Sequence, residues 1–403
     1  MATKLAEQAR TMTNSISTRS TSIPESATVA IADLAARMRR DGHDVIDMSA
    51  GRASEHSPEI ACEAAIEAMR AGRTHQVEAR GTPDYLQACA EKLRRENGLD
   101  IDPSKNVIAT QGCKQGLALS LLSTVDIGDE VIIEDPCFVS YAPTIRLFGA
   151  EPVVVETDRD TRFCWSEDVL EASITDRTRA ILFCSPHNPS GTVHTRDDLQ
   201  AIANVAARHD LTVIADEIYE AVCWDGRKHL PIYSLPGMAE RTIGLMGMTK
   251  TYSMGGWRIG YAYAAASYIE AMTKAQQHLM TCASSFGQVG AARALQPDVA
   301  EVMQPIWADW EERCNYVTRK IGSHAKLSVS TPEGGFYAWV NIGKTGVKSQ
   351  QFCERLVTES KVATVPGLSF GEACDDFVRI TCVRSWDEVK AGVDRIRQFV
   401  DQI

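Results

Sequence analysis

The middle of the chain alternates short, continuous apolar runs with helical patterns, and that alternation restricts the fold more than any other feature. The runs are Val107-Ile108-Ala109, Val131-Ile132-Ile133, Pro152-Val153-Val154-Val155, Ala180-Ile181-Leu182-Phe183 and Leu211-Thr212-Val213-Ile214-Ala215, followed by Thr242 to Met246 and Ile259 to Ala264. Between them, Lys114 to Thr124, Ser166 to Ala172 and Thr195 to Arg208 carry apolar residues at helical spacing. Strands apolar on both faces and separated by helices build a mostly parallel sheet covered on both sides. Such sheets place their ligands beyond the carboxyl ends of the strands.

The flanks read differently. Ser26 to Arg40, Glu59 to Ala71 and Thr82 to Asn97 are helical in period, and Val45 to Met48 is a short strand running into the Gly51 loop. After Gln288 a long helical stretch, Val302 to Ile321, leads to strand-like Phe336 to Val340 and Val378 to Ile380, then a closing helix from Trp386 to Gln402. A chain of 403 residues suits one large domain plus a smaller one. The expected organisation is α/β: a disordered tail over 1–21, an N-terminal segment over 22–48 packing with the small domain, a large domain over 49–290 with its sheet sandwiched by helices, and a small α+β domain over 291–403.

Composition excludes several classes. A formal charge of -11 argues against nucleic acid or anionic membrane as a partner. No apolar stretch approaches the roughly 18 residues that span a bilayer. The first twenty residues are polar and rich in Ser and Thr, without the apolar core of a secretory signal, so the expected location is cytoplasmic. The 12 cysteines lie singly from Cys62 to Cys382, with no CxxC pair, and read as free thiols in a reducing compartment rather than a metal site.

The residues that can carry chemistry follow the strands. Met248-Thr249-Lys250 lies between a strand and a glycine-containing turn, with Arg258 eight residues after Lys250. A lysine that attacks an aldehyde must be neutral, which partial burial and a neighbouring cation favour. Arg258 supplies such a cation and suits a phosphate. Asp216, at the end of the Leu211 run, fits two readings: a helix cap, or a carboxylate that keeps a pyridine nitrogen protonated. Tyr219, three residues on, suits a donor to the phenolic oxygen of that ring. In Ser185-Pro186-His187-Asn188-Pro189-Ser190-Gly191 two prolines stiffen the backbone around Asn188, while His187 reads as incidental to the turn. Gly112-Cys113-Lys114 opens a helix whose backbone N–H groups suit a phosphate. Phe138, expected to begin the next helix, either stacks on a flat cofactor or packs in the core. Arg379, inside an apolar strand, requires a carboxylate, internal or from a substrate.

Taken in order, NP-S-G, D-x-x-Y, K-x7-R and a late V-R-I resemble the class I pyridoxal-phosphate aminotransferases of the aspartate and aromatic group, from about Ser22 to the C-terminus. The resemblance implies the fold type I architecture of pyridoxal-phosphate enzymes and pyridoxal 5'-phosphate as cofactor. It implies an amino acid and a 2-oxo acid as substrates, and a homodimer with shared active sites. By position, Lys250 matches the Schiff-base lysine and proton carrier, Asp216 the partner of the pyridine nitrogen, and Tyr219 and Asn188 the donors to the ring oxygen. Arg258, Gly112, Cys113, Lys114 and Thr249 fall at the phosphate, Phe138 at the ring face, and Arg379, Gly51 and Asn188 around the substrate carboxylate.

The departures bear on specificity. Gly51-Arg52-Ala53-Ser54-Glu55-His56-Ser57-Pro58 replaces the usual G-E-P-D-F segment, Gln76 stands where a tyrosine reaches the neighbouring subunit's phosphate, and Gly247 stands for a serine. Thr249 or groups from Thr281 to Ser285 are the expected replacements. Lys114 suits an acidic substrate side chain, as do Arg52 and Arg80 unless they are simply surface charges, and Phe138, Tyr141 and Trp257 suit an aromatic one. A lyase or decarboxylase on the same scaffold is the alternative reaction. A nicotinamide dehydrogenase lacks its GxGxxG strand–turn–helix.

Overall fold

The computed structural model describes residues 16, 17, 21, 23 and 27–403; the tail expected over 1–21 lies almost wholly outside them. The N-terminal helix spans Ala27–Arg40 and leads into β1 (Ile46–Asp47). The seven strands read from the apolar runs are β2 (Val107–Thr110), β3 (Glu130–Asp135), β4 (Glu151–Glu156), β5 (Thr178–Cys184), β6 (Thr212–Asp216), β7 (Thr242–Gly247) and β8 (Gly260–Tyr263). They form one sheet in the order β2-β8-β7-β6-β5-β3-β4. All neighbouring pairs are parallel except those of β8, which runs antiparallel to β2 and β7.

Period-two alternation divides each strand between two cores. Val131 and Ile133 of β3, Ala180 and Leu182 of β5, and Ile214 of β6 pack toward the helix Cys113–Thr124 through Leu117 and Leu121. Ile132, Ile181, Phe183, Val213 and Ala215 face the other way, onto Leu199, Ile202 and Ala206 of the helix Arg196–Arg208. That helix begins at a capping box in which Thr195 and Asp198 satisfy each other's backbone N–H. Because the faces alternate, Asp216 and Glu217 at the end of β6 leave on opposite sides of the sheet.

The remainder comprises β9 (Ser328–Val329), β10 (Tyr337–Asn341), β11 (Val362–Ala363), β12 (Val365–Pro366) and β13 (Phe377–Thr381). Four of these make an antiparallel sheet, β12-β13-β10-β9, while β11 pairs with β1 in parallel. The helix expected over Val302–Ile321 starts earlier, at Pro297, where a missing N–H costs nothing, and it continues through Pro305 to Gly322. Phe138 does not begin a helix: the helix starts at Tyr141, and Phe138 lies in the turn after β3.

Candidate active site

Five strand ends converge on one cavity of about 370 Å³. Its lining includes Lys250, Asp216, Tyr219, Asn188, Arg258, Phe138, Cys113, Lys114, Thr249, Arg379 and Gly51, eleven of the twelve site residues expected from the sequence. Gly112 is the twelfth. It sits behind Arg258 with φ +73°, and a Cβ there would lie 2.8 Å from Arg258 Nη2, so only glycine lets this turn pass under the guanidinium.

Asp216 is the buried acid of the site. Its Oδ2 accepts a hydrogen bond from Tyr141 Oη at 2.7 Å and its Oδ1 one from the Ile218 N–H at 3.3 Å. Burial nevertheless pushes its pKa up to about 6, only partly offset by the Tyr141 bond. The carboxylate therefore gains from any cationic N–H brought against it. Lys250 follows β7 in the short helix Met248–Thr251, and its Nζ donates to the Gly51 carbonyl at 2.6 Å.

Besides Lys250, three cations line the cavity with little to neutralise them. Among the described residues Arg258 donates only to backbone carbonyls, of Gly255 at 2.9 Å and Gln111 at 3.5 Å. Lys114 stands at the rim, 5.6 Å from the centre of the Phe138 ring, and among the described residues no carboxylate lies within ion-pair reach of it. Partial desolvation and the charges of Arg258 and Lys250 lower its pKa. Arg379 is 3% exposed, and it too meets no carboxylate among the described residues. Its Nη1 donates to Asn188 Oδ1 at 3.0 Å and its Nη2 to the Ser49 carbonyl at 2.9 Å, while Nε has no partner. A buried guanidinium without a counterion is costly unless a ligand brings one.

A flat aldehyde cofactor with a phosphate tail fits this arrangement. Unpaired Arg258, beside the N–H groups that open the helix at Cys113, suits a phosphate; Asp216 suits a ring nitrogen; Lys250 suits the aldehyde carbon. The Tyr219 hydroxyl, 3.0 Å from that of Tyr337, and the free amide nitrogen of Asn188 are the donors left for a ring oxygen.

Sequence reasoning missed Tyr337, Ser49 and Cys184 in the cavity wall, and it read Tyr141 as a substrate contact rather than the partner of Asp216. His187 is more than incidental: its Nε2 lies 3.0 Å from the Pro136 carbonyl and its Nδ1 2.6 Å from Ser190 Oγ, tying the Asn188 turn to the Phe138 turn. Burial drives its pKa down to about 3, so the ring is neutral, with its proton on Nε2 facing a carbonyl that can only accept. Arg52 is exposed, and Arg80 donates to the Ser104 carbonyl at a separate hollow. Gln76 is exposed as well, and no residue from Thr281 to Ser285 lines the cavity of this chain.

Residues 43–396 match the family described as aminotransferase class I and II. The chain is 37% identical over 369 residues to an aspartate aminotransferase of Pyrococcus abyssi, covering 91% of this chain and 94% of that one. It is 36% identical to aromatic-amino-acid aminotransferase 2 of Thermococcus litoralis, covering 89% and 92%. Its fold superposes on the aspartate aminotransferase of Thermus thermophilus with maleate at a TM-score of 0.91, with 32% identity over 96% of this chain and 100% of the other. The chain belongs to the class I and II aminotransferases, and it is a pyridoxal-phosphate enzyme that moves the amino group of an amino acid to a 2-oxo acid.

Proposed function

We propose that the amino donor and acceptor are dicarboxylic, of the aspartate and glutamate kind. The observation that carries this reading is the Lys114 ammonium, which lines the same cavity as the buried Arg379 and, like it, meets no carboxylate among the described residues. Two unpaired cations on one cavity suit a substrate with two carboxylates. The aspartate aminotransferases among its relatives, and the Thermus thermophilus structure with the dicarboxylate maleate, support the same choice. Arg379 takes the α-carboxylate, with Asn188 and Gly51 beside it, and Lys114 takes the distal one.

Bound pyridoxal phosphate supplies an aldehyde for the amine and a ring that accepts the electrons of the broken Cα–H bond. Lys250 would hold the aldehyde carbon, and its amine, once free, would carry the proton from Cα. Asp216 keeps the ring nitrogen protonated, Tyr219 and Asn188 donate to the ring oxygen, and Phe138 covers the ring face. Arg258, Thr249 and the N–H groups of Gly112, Cys113 and Lys114 hold the phosphate.

The reading extends to assembly and organisation. Exposed Leu279, Met280 and Phe286, with Ile60 and Met69 on the adjacent helix Glu59–Arg70, support a homodimer whose second copy covers this side. Twelve unbridged cysteines support a cytoplasmic location, and no described helix is long and apolar enough to cross a membrane. The division into segments 22–48, 49–290 and 291–403 belongs to the same proposal.

Lys114→Met tests the substrate class. Loss of a charge-assisted hydrogen bond should raise KM for aspartate about 10- to 100-fold and leave KM for phenylalanine within about twofold. An unchanged KM for aspartate, or an equal rise for both substrates, refutes the assignment.

A further inference from the structure

Tyr337 occupies the centre of the site, although none of the chemistry described above uses it. It is the first residue of β10, paired across the small sheet with Thr381, and is 2% exposed. The guanidinium of Arg379 stacks on its ring, 4.1 Å from the centroid. Its hydroxyl fills the volume that a side chain at position 51 would need. A Cβ on Gly51 would lie 2.0 Å from Tyr337 Oη and 3.2 Å from Lys250 Nζ. The same hydroxyl is 3.0 Å from Tyr219 Oη.

Two phenols at that distance share one hydrogen bond, and its direction decides what Tyr219 can do. If Tyr219 donates to Tyr337, its only proton is consumed. If Tyr337 donates, the Tyr219 proton is free to point into the cavity. The stronger acid donates. Burial raises both phenols, but Lys250 and Arg379 beside Tyr337 outweigh it and bring Tyr337 below the ordinary value; with Lys250 engaged by the cofactor, the Arg379 guanidinium stacked on the ring maintains that bias. Tyr219 stays well above, held there by burial and by the charge that Tyr337 takes on when ionised.

We propose that Tyr337 is a positioning residue for the transfer reaction: its hydroxyl donates to Tyr219 Oη, and so frees and strengthens the Tyr219 proton as a donor to the oxygen of the cofactor ring. Hydrogen bonds in a chain polarise one another, so a donor that itself accepts is a better donor. Arg379 acts on the same ring from its face, which places the substrate-carboxylate side and the ring-oxygen side on one phenol. The inference rests on the family's cofactor and not on the substrate class proposed above, so a negative result with Lys114→Met leaves it intact.

The test uses the pyridoxal-phosphate-loaded enzyme and three variants: Tyr337→Phe, Tyr219→Phe and the double variant. The decisive readout is the pH midpoint of the visible absorption band of the lysine-bound cofactor. Weaker donation leaves the ring oxygen more basic, so the midpoint should rise in Tyr337→Phe by about a few tenths of a pH unit, because the Tyr219 bond is kept and loses only the polarisation that Tyr337 gives it. It should rise further in Tyr219→Phe, and the double variant should match Tyr219→Phe alone, because Tyr337 acts through Tyr219. The phenyl ring still carries Arg379, so KM for the amino acid should stay within about twofold while kcat falls by about two- to threefold. A midpoint in Tyr337→Phe equal to the wild type overturns the proposal. So do shifts that add in the double variant, or a rise in KM with the midpoint unmoved, which would leave Tyr337 as a support for Arg379 only.

Discussion

Replacing Asp216 with Asn should make the cofactor-free protein more stable while destroying its catalysis. Without a cationic partner the Asp216 carboxylate is buried against its preference, with its pKa raised from 3.8 to about 6. A raised carboxyl pKa means that the folded chain binds the proton more tightly than the unfolded one. The folded state is therefore penalised as pH rises through the window from about 4 to 6, and fully so above it. Two pKa units correspond to about 3 kcal/mol. Asp216→Asn carries no charge to desolvate and can still pair with Tyr141, so it escapes the penalty. At roughly 2.1 cal/mol/K of unfolding entropy per residue, 3 kcal/mol moves the melting temperature of a chain this long by roughly 3–4 °C. Melting curves of cofactor-free wild type and Asp216→Asn should differ by that amount at pH 8 and by only about 1 °C near pH 4.5. Adding pyridoxal phosphate should reverse the order, because only the wild type then has its charge matched. An offset absent at pH 8, or equal at both pH values, would refute the account of Asp216 as an acid stored at a cost.

Other substitutions probe the same site. Lys250→Ala should abolish turnover and the visible band of the lysine-bound cofactor, and substantial transamination by that variant contradicts the assignment of Lys250. Tyr141→Phe removes the 2.7 Å bond to Asp216 and so raises the carboxyl pKa further. Its affinity for pyridoxal phosphate, followed by fluorescence titration at pH 7, should fall about tenfold or more, and an unchanged affinity removes Tyr141 from the site. Gly247→Ser puts a Cβ 3.0 Å from Ile218 Cδ1 and 3.1 Å from Cys113 Sγ. It should cost about 1–2 kcal/mol in a thermal melt and recover when combined with Cys113→Ala; a neutral single variant means the two positions are not coupled.

Six of the seven strands were legible because each lies buried on both faces, which writes it as an unbroken apolar run; the edge strand β4 carries such a run although Val154 is 49% exposed. The direction of β8 was not, since such a run carries no polarity. Residues that follow strand ends, such as Asp216, Asn188 and Lys250, were legible because a parallel sheet collects those ends. Tyr141 and Tyr337 were not: each matters through a phenol facing a group 75 or 118 residues away, Asp216 and Tyr219 respectively. Arg52 and Arg80 do not line the cavity of this chain, which agrees with the surface placement open to them from sequence, since neighbours of a motif in the chain need not face its cavity. Gly247 and Cys113 show a third case, in which an unexpected glycine makes sense only beside the sulfur that fills its place.

The strand β1 has a consequence for synthesis on the ribosome. Met48 donates to the Ala363 carbonyl and accepts from the Thr381 N–H, and the Ser49 carbonyl meets Arg379, 330 residues further along. At 5–20 residues per second, a nascent chain waits roughly 15 to 60 s between making this segment and making its partners. During that interval Ile46 and Met48, which in the finished protein pack against the closing helix at Gly392, lack that cover. This side of the substrate wall therefore closes only once β11 and β13 have been made.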